Sequence, residues 1–301
     1  MKKKQQFKSR KEIINGVILL DKPTGMSSNQ ALQKVKWLFQ AKKAGHTGSL
    51  DPLATGLLPL CFGQSTKVSQ YLLDSHKKYT TVIKLGEVTD TLDSEGEVTK
   101  VRDVSVTDEQ IQQALVQFRG NIKQVPPMYS ALKKDGQPLY KLARKGEVIE
   151  RPARDMTVHS LTAERIDQNY VRLFVHCSSG FYIRSLAFDL GEALGCGAHV
   201  VELRRTQIKS LLAENAYSID DIESTSDLKS LLLPTDCLLQ DMPRIIISEQ
   251  QAKALIEGRA VPSEGLITES LSRFYTPQGR LFAIGEVNEH ACLKTHRIFV
   301  E

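Results

Sequence analysis

Apolar residues in this chain recur at two spacings, and the order in which the spacings follow one another limits the fold severely. Residues 16–21 (GVILLD) form a short apolar run that reads as a buried strand, stopped by the Lys22-Pro23-Thr24-Gly25 turn. Ala31, Leu32, Val35, Leu38 and Phe39 then fall on one helical face, and Ser27 or Ser28 supplies the cap. Residues 44–56 (AGHTGSLDPLATG) fit neither period and read as a loop of special backbone geometry around His46 and Asp51. Strand spacing returns at 57–62 and at 79–85, where Tyr79, Thr81, Ile83 and Leu85 alternate with Thr80, Val82 and Lys84. Thr107 and Gln110 make a capping box before a helix ending near Gly120. Residues 170–177 read as a strand, 181–194 as a helix and 199–209 as extended chain. Strands and helices mix without strict β-α-β alternation, so the fold class is α+β rather than a doubly wound sheet.

Two segments break this rhythm. Residues 124–156, rich in Pro, Lys, Arg and Gly, read as an insertion projecting from the core, and short strands and turns after about Leu239 read as a small C-terminal domain. The expected organisation is a basic tail over 1–12, a main domain over 13–239 and a small β domain over 240–301. The 301 residues suit about two domains of roughly 150 each.

No apolar run approaches the roughly 20 residues that span a bilayer. The N-terminal MKKKQQFKSRK lacks the apolar segment of a signal peptide, because Asp21 and Lys22 cut off the run at 17–20. A cytoplasmic location is therefore expected. Net charge is +5 and the sequence pI about 8.8, which leans towards a polyanionic partner. Basic residues crowd the first eleven positions and 133–154, with pairs at Lys42/Lys43 and Arg204/Arg205. Each cluster has two readings, a solvated face or an RNA contact. Five cysteines without a CxxC pair exclude a disulfide framework and argue against a structural zinc site. His176 and Cys177 would point to opposite faces of a strand, and Cys196 and His199 read as packed residues, so no metal is expected.

Asp51 lies between Leu50 and Pro52-Leu53, in partly apolar surroundings. A carboxylate there tends to protonate, and to lose its nucleophilicity, unless a cation offsets its desolvation. Taken alone, Asp51 reads as a turn residue before proline. His46, between Gly45 and Thr47, sits where the backbone can approach a ligand closely. Together they mark a site without naming a reaction.

The segments GVILLDKPTGMSSNQAL (16–32), AGHTGSLDPLATGLLPLCFGQSTK (44–67) and KKYTTVIKLGEVTDTLDSEG (77–96) resemble the bacterial TruB-type tRNA pseudouridine synthases. The resemblance continues through VPPMYSALK (125–133), YKLARKG (140–146), CSSGFYIRSL (177–186) and GCGAHVVELRRT (195–206), and fades after about residue 210. It implies a mixed, largely antiparallel sheet of pseudouridine-synthase type with a PUA-like C-terminal domain. It also implies that Asp51 is the nucleophile, attacking the target uridine at C6 of the base or C1′ of the ribose. The glycosidic bond breaks, the uracil rotates, and C5 joins C1′, with no cofactor, metal or energy source.

By the same resemblance Tyr79 stacks on the flipped base and takes part in removing the C5 proton. Arg184 pairs with the catalytic carboxylate, the partner that the desolvation argument requires independently. His46 helps displace the target nucleotide, Leu203 lines the base pocket, and Lys22 and Pro23 pack close to it. Tyr182 precedes Arg184 in the same motif and is expected at the substrate. Lys133, Arg144 and Lys145 belong to an insertion expected to clamp the tRNA arm. The implied partner is the T-arm of tRNA, with the uridine at position 55 as target, and the chain is expected to act as a monomer without a membrane.

A non-catalytic RNA-binding or RNA-chaperone protein would have no need of Asp51, Tyr79 and Arg184 together. A nucleotide- or metal-dependent transferase has no GxxxxGK[ST], CxxC or HExxH foothold, and a serine hydrolase would want GxSxG where Gly48-Ser49 stands.

Overall fold

The computed structural model describes residues 11–266 and 270–299. Most of the expected basic tail, residues 1–10, lies outside them, and Glu12 is already bridged to Ala41 and ion-paired with Lys229 at 3.0 Å. The first half runs β1 (Gly16–Lys22), α1 (Ser28–Leu38), β2 (Ala44–His46), β3 (Thr55–Phe62), α2 (Gln70–Leu73), β4 (Lys77–Leu85), β5 (Glu87–Thr89), β6 (Val98–Val101), α3 (Asp108–Leu115) and β7 (Gly120–Gln124). A small excursion follows, β8 (Lys133–Lys134), β9 (Gln137–Pro138) and α4 (Leu139–Ala143). The main domain closes with β10 (Arg154–Arg165), β11 (Tyr170–Cys177), α5 (Ile183–Ala193), β12 (Ala198–Ile208), β13 (Leu211–Leu212) and α6 (Ile219–Ser224). Last come β14 (Arg244–Ile246), α7 (Glu249–Ile256), β15 (Val261–Pro262), β16 (Ser272–Tyr275), β17 (Leu281–Val287) and β18 (Cys292–Ile298).

The large sheet has the order β1-β3-β12-β4-β11-β10-β7, with β2 paired to β3 and β13 to β12. Every pairing is antiparallel except β3 with β12, where only Thr55 and Gly56 meet Arg204 and Arg205. The sheet is thus mixed and largely antiparallel. That short parallel contact depends on Gly56: its φ is +98°, and a Cβ there would stand 2.3 Å from the Arg205 carbonyl oxygen.

One core packs Ala31, Leu32 and Val35 of α1, with Leu186 and Leu190 of α5, against Ile83, Leu173 and Val200 of the sheet. A second, containing Val17, Leu19, Leu57 and Leu72, also takes in Ile284 of the five-stranded C-terminal sheet, β14-β16-β17-β18-β15. Lys67 Nζ donates to the Ile298 carbonyl at 2.7 Å, and the Tyr275 hydroxyl bonds the Asp236 carboxylate, so the two sheets are stitched together.

Several boundaries differ from expectation. Ser27, not Ser28, caps α1 with a full capping box; Ser28 is buried and accepts from the Leu50 amide at 2.7 Å. Residues 44–46 and 55–56, expected as loop, are strand, because backbone pairing to β3 and β12 needs no alternating side chains. The helix after Thr107 ends at Leu115 in a 3₁₀ turn, and Gly120 opens β7. α5 starts at Ile183, since Tyr182 is extended, with φ −106° and ψ 110°. The ends of the expected insertion belong to the sheet, where Gln124 faces Arg154 across β7 and β10.

Candidate active site

The loop from Thr47 to Ala54 crosses the end of the sheet between β2 and β3. It is held from below by Ser28, which both accepts from Leu50 N and donates to Leu50 O at 3.0 Å. Lys22, fully buried, fixes its outer side. The ammonium donates to the carbonyls of Met26 (2.6 Å), Pro23 (2.7 Å) and Pro52 (3.3 Å), which uses all three of its protons. Lys22 therefore has no free donor for a substrate and acts as a brace on the loop it packs against. Burial lowers its pKa to about 8, against the opposing pull of Asp51.

Asp51 stands at the loop's crest with 40 % of its side-chain surface open. Arg184, in the first turn of α5 and only 5 % exposed, reaches it at 3.0 Å and reaches Asp93 at 3.1 Å through its other nitrogen. The same guanidinium donates to the carbonyls of Thr91 (3.0 Å) and Tyr129 (2.7 Å). Asp93 is itself fixed by Thr91 Oγ1 at 2.6 Å and by the Glu95 amide at 3.2 Å. A buried cation shared between two carboxylates, one closed and one open, leaves the open one oriented and ready to react. Desolvation by the surrounding protein pushes the Asp51 carboxyl above the usual carboxylate range. Arg184 works against that shift and Asp93 adds to it.

Tyr79, half-buried in β4, faces Arg205 of β12 in the sheet register. Burial raises its phenol pKa, and the adjacent Arg205 guanidinium opposes the rise. Arg205 is 1 % exposed and donates to Leu57 O at 2.8 Å and Gly48 O at 3.2 Å, so it ties β12 to both ends of the loop. The basic pair expected at 204–205 is thus divided, because Arg204 is held by Asp21 in a two-pronged bond of 2.9 and 2.7 Å. His46 closes β2, half-buried, with its pKa lowered by burial and then by Arg205. Its Nδ1 is buried without a hydrogen-bond partner among the described residues, which leaves one polar atom for a ligand to satisfy.

Leu203 is 8 % exposed and belongs to the main core, with one edge on a groove shared with Thr24, Leu53 and Thr55. Tyr182 is clamped by Gln124 in both directions, at 2.8 and 3.0 Å, and its phenol pKa is raised mainly by burial. Lys133, Arg144 and Lys145 lie exposed on the excursion, and no described hydrogen bond or ion pair joins them to Asp51, Arg184 or Asp93. The base of that excursion does reach Arg184, through the Tyr129 carbonyl. Sequence reasoning did not single out Asp93 or Thr91, and it named Arg205 only as half of the basic pair 204–205. Asp93 and Thr91 sit at the far end of the 77–96 segment that begins with Tyr79's KKYTT, and a buried arginine in VELRRT looks identical in sequence to a surface one.

All five cysteines are free, and His199 is buried with Nδ1 at 3.1 Å from the Glu87 carbonyl oxygen.

The mixed sheet and the C-terminal β domain agree with what similarity finds. Residues 36–183 match the family described as "TruB family pseudouridylate synthase (N terminal domain)", and 184–240 and 243–299 match its two C-terminal domain families. These define the class, a pseudouridine synthase and hence an isomerase. A "tRNA pseudouridine synthase B" of Pseudomonas putida is 50% identical over 299 residues, covering 97% of this chain and 98% of the relative. Those of Stutzerimonas stutzeri and Pseudomonas aeruginosa are each 49% identical with the same coverage. The chain belongs to the TruB family. Among solved structures, one described as a "Cbf5-Nop10-Gar1 Complex" aligns with a TM-score of 0.73 at 26% identity, covering 96% of this chain and 86% of that one. An archaeal box H/ACA "Nop10-Cbf5 complex", with a TM-score of 0.70 at 24% identity and coverage of 96% and 87%, shares the fold.

Proposed function

We propose that this protein isomerises uridine to pseudouridine in tRNA, at position 55 of the T-loop, with Asp51 as nucleophile. The observation that carries the reading is the open carboxylate of Asp51 at 3.0 Å from a buried arginine that a second carboxylate also holds. The target base lies stacked in a folded RNA loop and must be flipped out, at a cost of a few kcal/mol. Tyr79 offers the stacking face, Leu203 an apolar wall, and His46 a neutral imidazole at the displaced nucleotide. Asp51 attacks C6 or C1′, the glycosidic bond breaks, and the uracil turns until C5 bonds C1′; the Asp51–substrate bond breaks as C5 displaces it from C1′, or leaves C6 when the C5 proton is lost. The C5 proton is then removed with Tyr79 taking part, and Arg205 beside its hydroxyl is the group that eases that step. Product and substrate are isomers, so no electrons or energy source are consumed.

Lys133, Arg144 and Lys145 serve in this reading as phosphate contacts on the T-arm. The C-terminal sheet serves as a PUA-like grip on the same RNA. In this reading the protein works in the cytoplasm as a monomer; among the described residues no helix is long and apolar enough to cross a membrane. A non-catalytic RNA-binding or RNA-chaperone role gives no reason to hold a buried arginine against a partly open aspartate. The test is to incubate the purified protein with an unmodified tRNA transcript and map pseudouridine to the nucleotide. Pseudouridine at position 55 is expected; none, or modification only elsewhere, would overturn the assignment.

A further inference from the structure

Three histidines distant in sequence meet on the surface of the large sheet. His76 immediately precedes β4, His159 lies in β10, and His176 lies in β11. Ring centroids are 4.3 Å apart for His76 and His159, 4.7 Å for His159 and His176, and 5.9 Å for His76 and His176. One ring nitrogen from each lies within 4.8 Å of the others. Regular pairing would not gather them. Val158 faces Cys177 and Ser160 faces His176, so His159 is the extra residue of a β-bulge, which leaves it beside His176. No other described residue hydrogen-bonds a ring nitrogen of the three. The neighbouring charge is Lys78, across the ladder from His176.

We propose that His76, His159 and His176 form a surface site for a borderline first-row divalent cation of the Zn²⁺ class. Three imidazole nitrogens would hold the ion, and its remaining position would be open to water. Imidazole suits zinc, copper and nickel, whereas magnesium and calcium select oxygen ligands. A tetrahedral ion with Zn–N of 2.0–2.1 Å sets nitrogens about 3.3 Å apart. His76 and His159 are exposed, so rotation about their side-chain bonds can close the remaining gap. Among the described residues, no hydrogen bond or ion pair links the cluster to Asp51, Arg184 or Asp93, which pair with one another. The site is therefore separate from the proposed chemistry, and its metal would not be the reaction's.

Calorimetric titration of ZnCl₂ into the full, untagged chain near neutral pH tests the site. One ion should bind and MgCl₂ should not. His76→Ala, His159→Ala and His176→Ala should each weaken binding by about tenfold or more, since even indirect supports of a metal site are worth about 10–100-fold. Lys78→Gln, which removes the opposing charge, should tighten it. His296→Ala, whose imidazole rests on Glu286 at 2.9 Å, should change nothing. Cobalt in place of zinc should give visible d–d bands without a thiolate charge-transfer band, which separates this site from one built on Cys237 or Cys292. Unchanged thermal melting of the His76 and His159 variants guards against misfolding as the cause. No zinc binding to the wild-type chain, or binding that survives all three substitutions, would overturn the proposal.

Discussion

Asp51 and Arg184 divide the work of the site between reactivity and restraint. Asp51→Asn keeps the shape of the side chain and removes the nucleophile, so single-turnover pseudouridine formation should vanish while tRNA affinity stays nearly intact. Turnover near wild type in that variant would take Asp51 out of the mechanism. Thermal stability offers a second reading. A carboxyl whose pKa is raised on folding loses stability as pH rises from its unfolded to its folded value, and remains costly above both. At neutral pH Asp51→Asn should therefore leave Tm unchanged or higher; a clear fall would mean that the Arg184 pair outweighs burial. For the same reason the acid limb of the single-turnover rate should lie above the ordinary aspartate value of about 3.9. Arg184→Lys retains charge but can no longer serve Asp51 and Asp93 together. One lost charged hydrogen bond of about 1.5–3 kcal/mol corresponds to a rate about ten- to a hundredfold lower, with binding little changed.

At the level of elements, the sequence was most legible where a local rule decides the outcome. The Thr107–Gln110 capping box and the 170–177 strand appear as read, because cap chemistry and alternation are written in neighbouring residues. Asp51's need for a cation could also be argued from Leu50, Pro52 and Leu53, and Arg184 answers it. What was not legible depends on pairing between distant segments. The burial of Arg205, the second carboxylate on Arg184 and the bulge that gathers three histidines are set by register, which no single segment encodes. Gly56 shows the same dependence from the other side. It read as one more loop glycine, yet it is the residue that lets β3 lie against β12. Gly56→Ala should cost more than about 2 kcal/mol from backbone strain and overpacking together, read as a lower denaturation midpoint. An unchanged midpoint would mean that the two strands can separate there without consequence.

For the whole molecule, the distribution of charge matters more than the net +5. The cations of the β8–α4 excursion stand in solvent, apart from Asp51, while its base touches Arg184. Replacing Lys133, Lys134, Arg144 and Lys145 with neutral residues should weaken tRNA binding and flatten the log-affinity against log-salt slope by up to about 0.9 per lost phosphate contact. The single-turnover rate at saturating enzyme should fall much less than affinity. Unchanged affinity and slope would make these residues solubility charges and no more.

The strand order carries one further consequence, for the chain while it is being made. β4 lies between β11 and β12, and β3 meets β12, so the middle of the large sheet waits for segments made long after its own strands. At about 5–20 residues per second, β3 and β4 spend on the order of ten seconds without those neighbours. Throughout that interval β4 presents two open edges, the condition in which nascent strands pair wrongly. Arg184 and Arg205 also emerge only with the closing strands. The carboxylate of Asp51 and the fold that holds it therefore become complete in one late event.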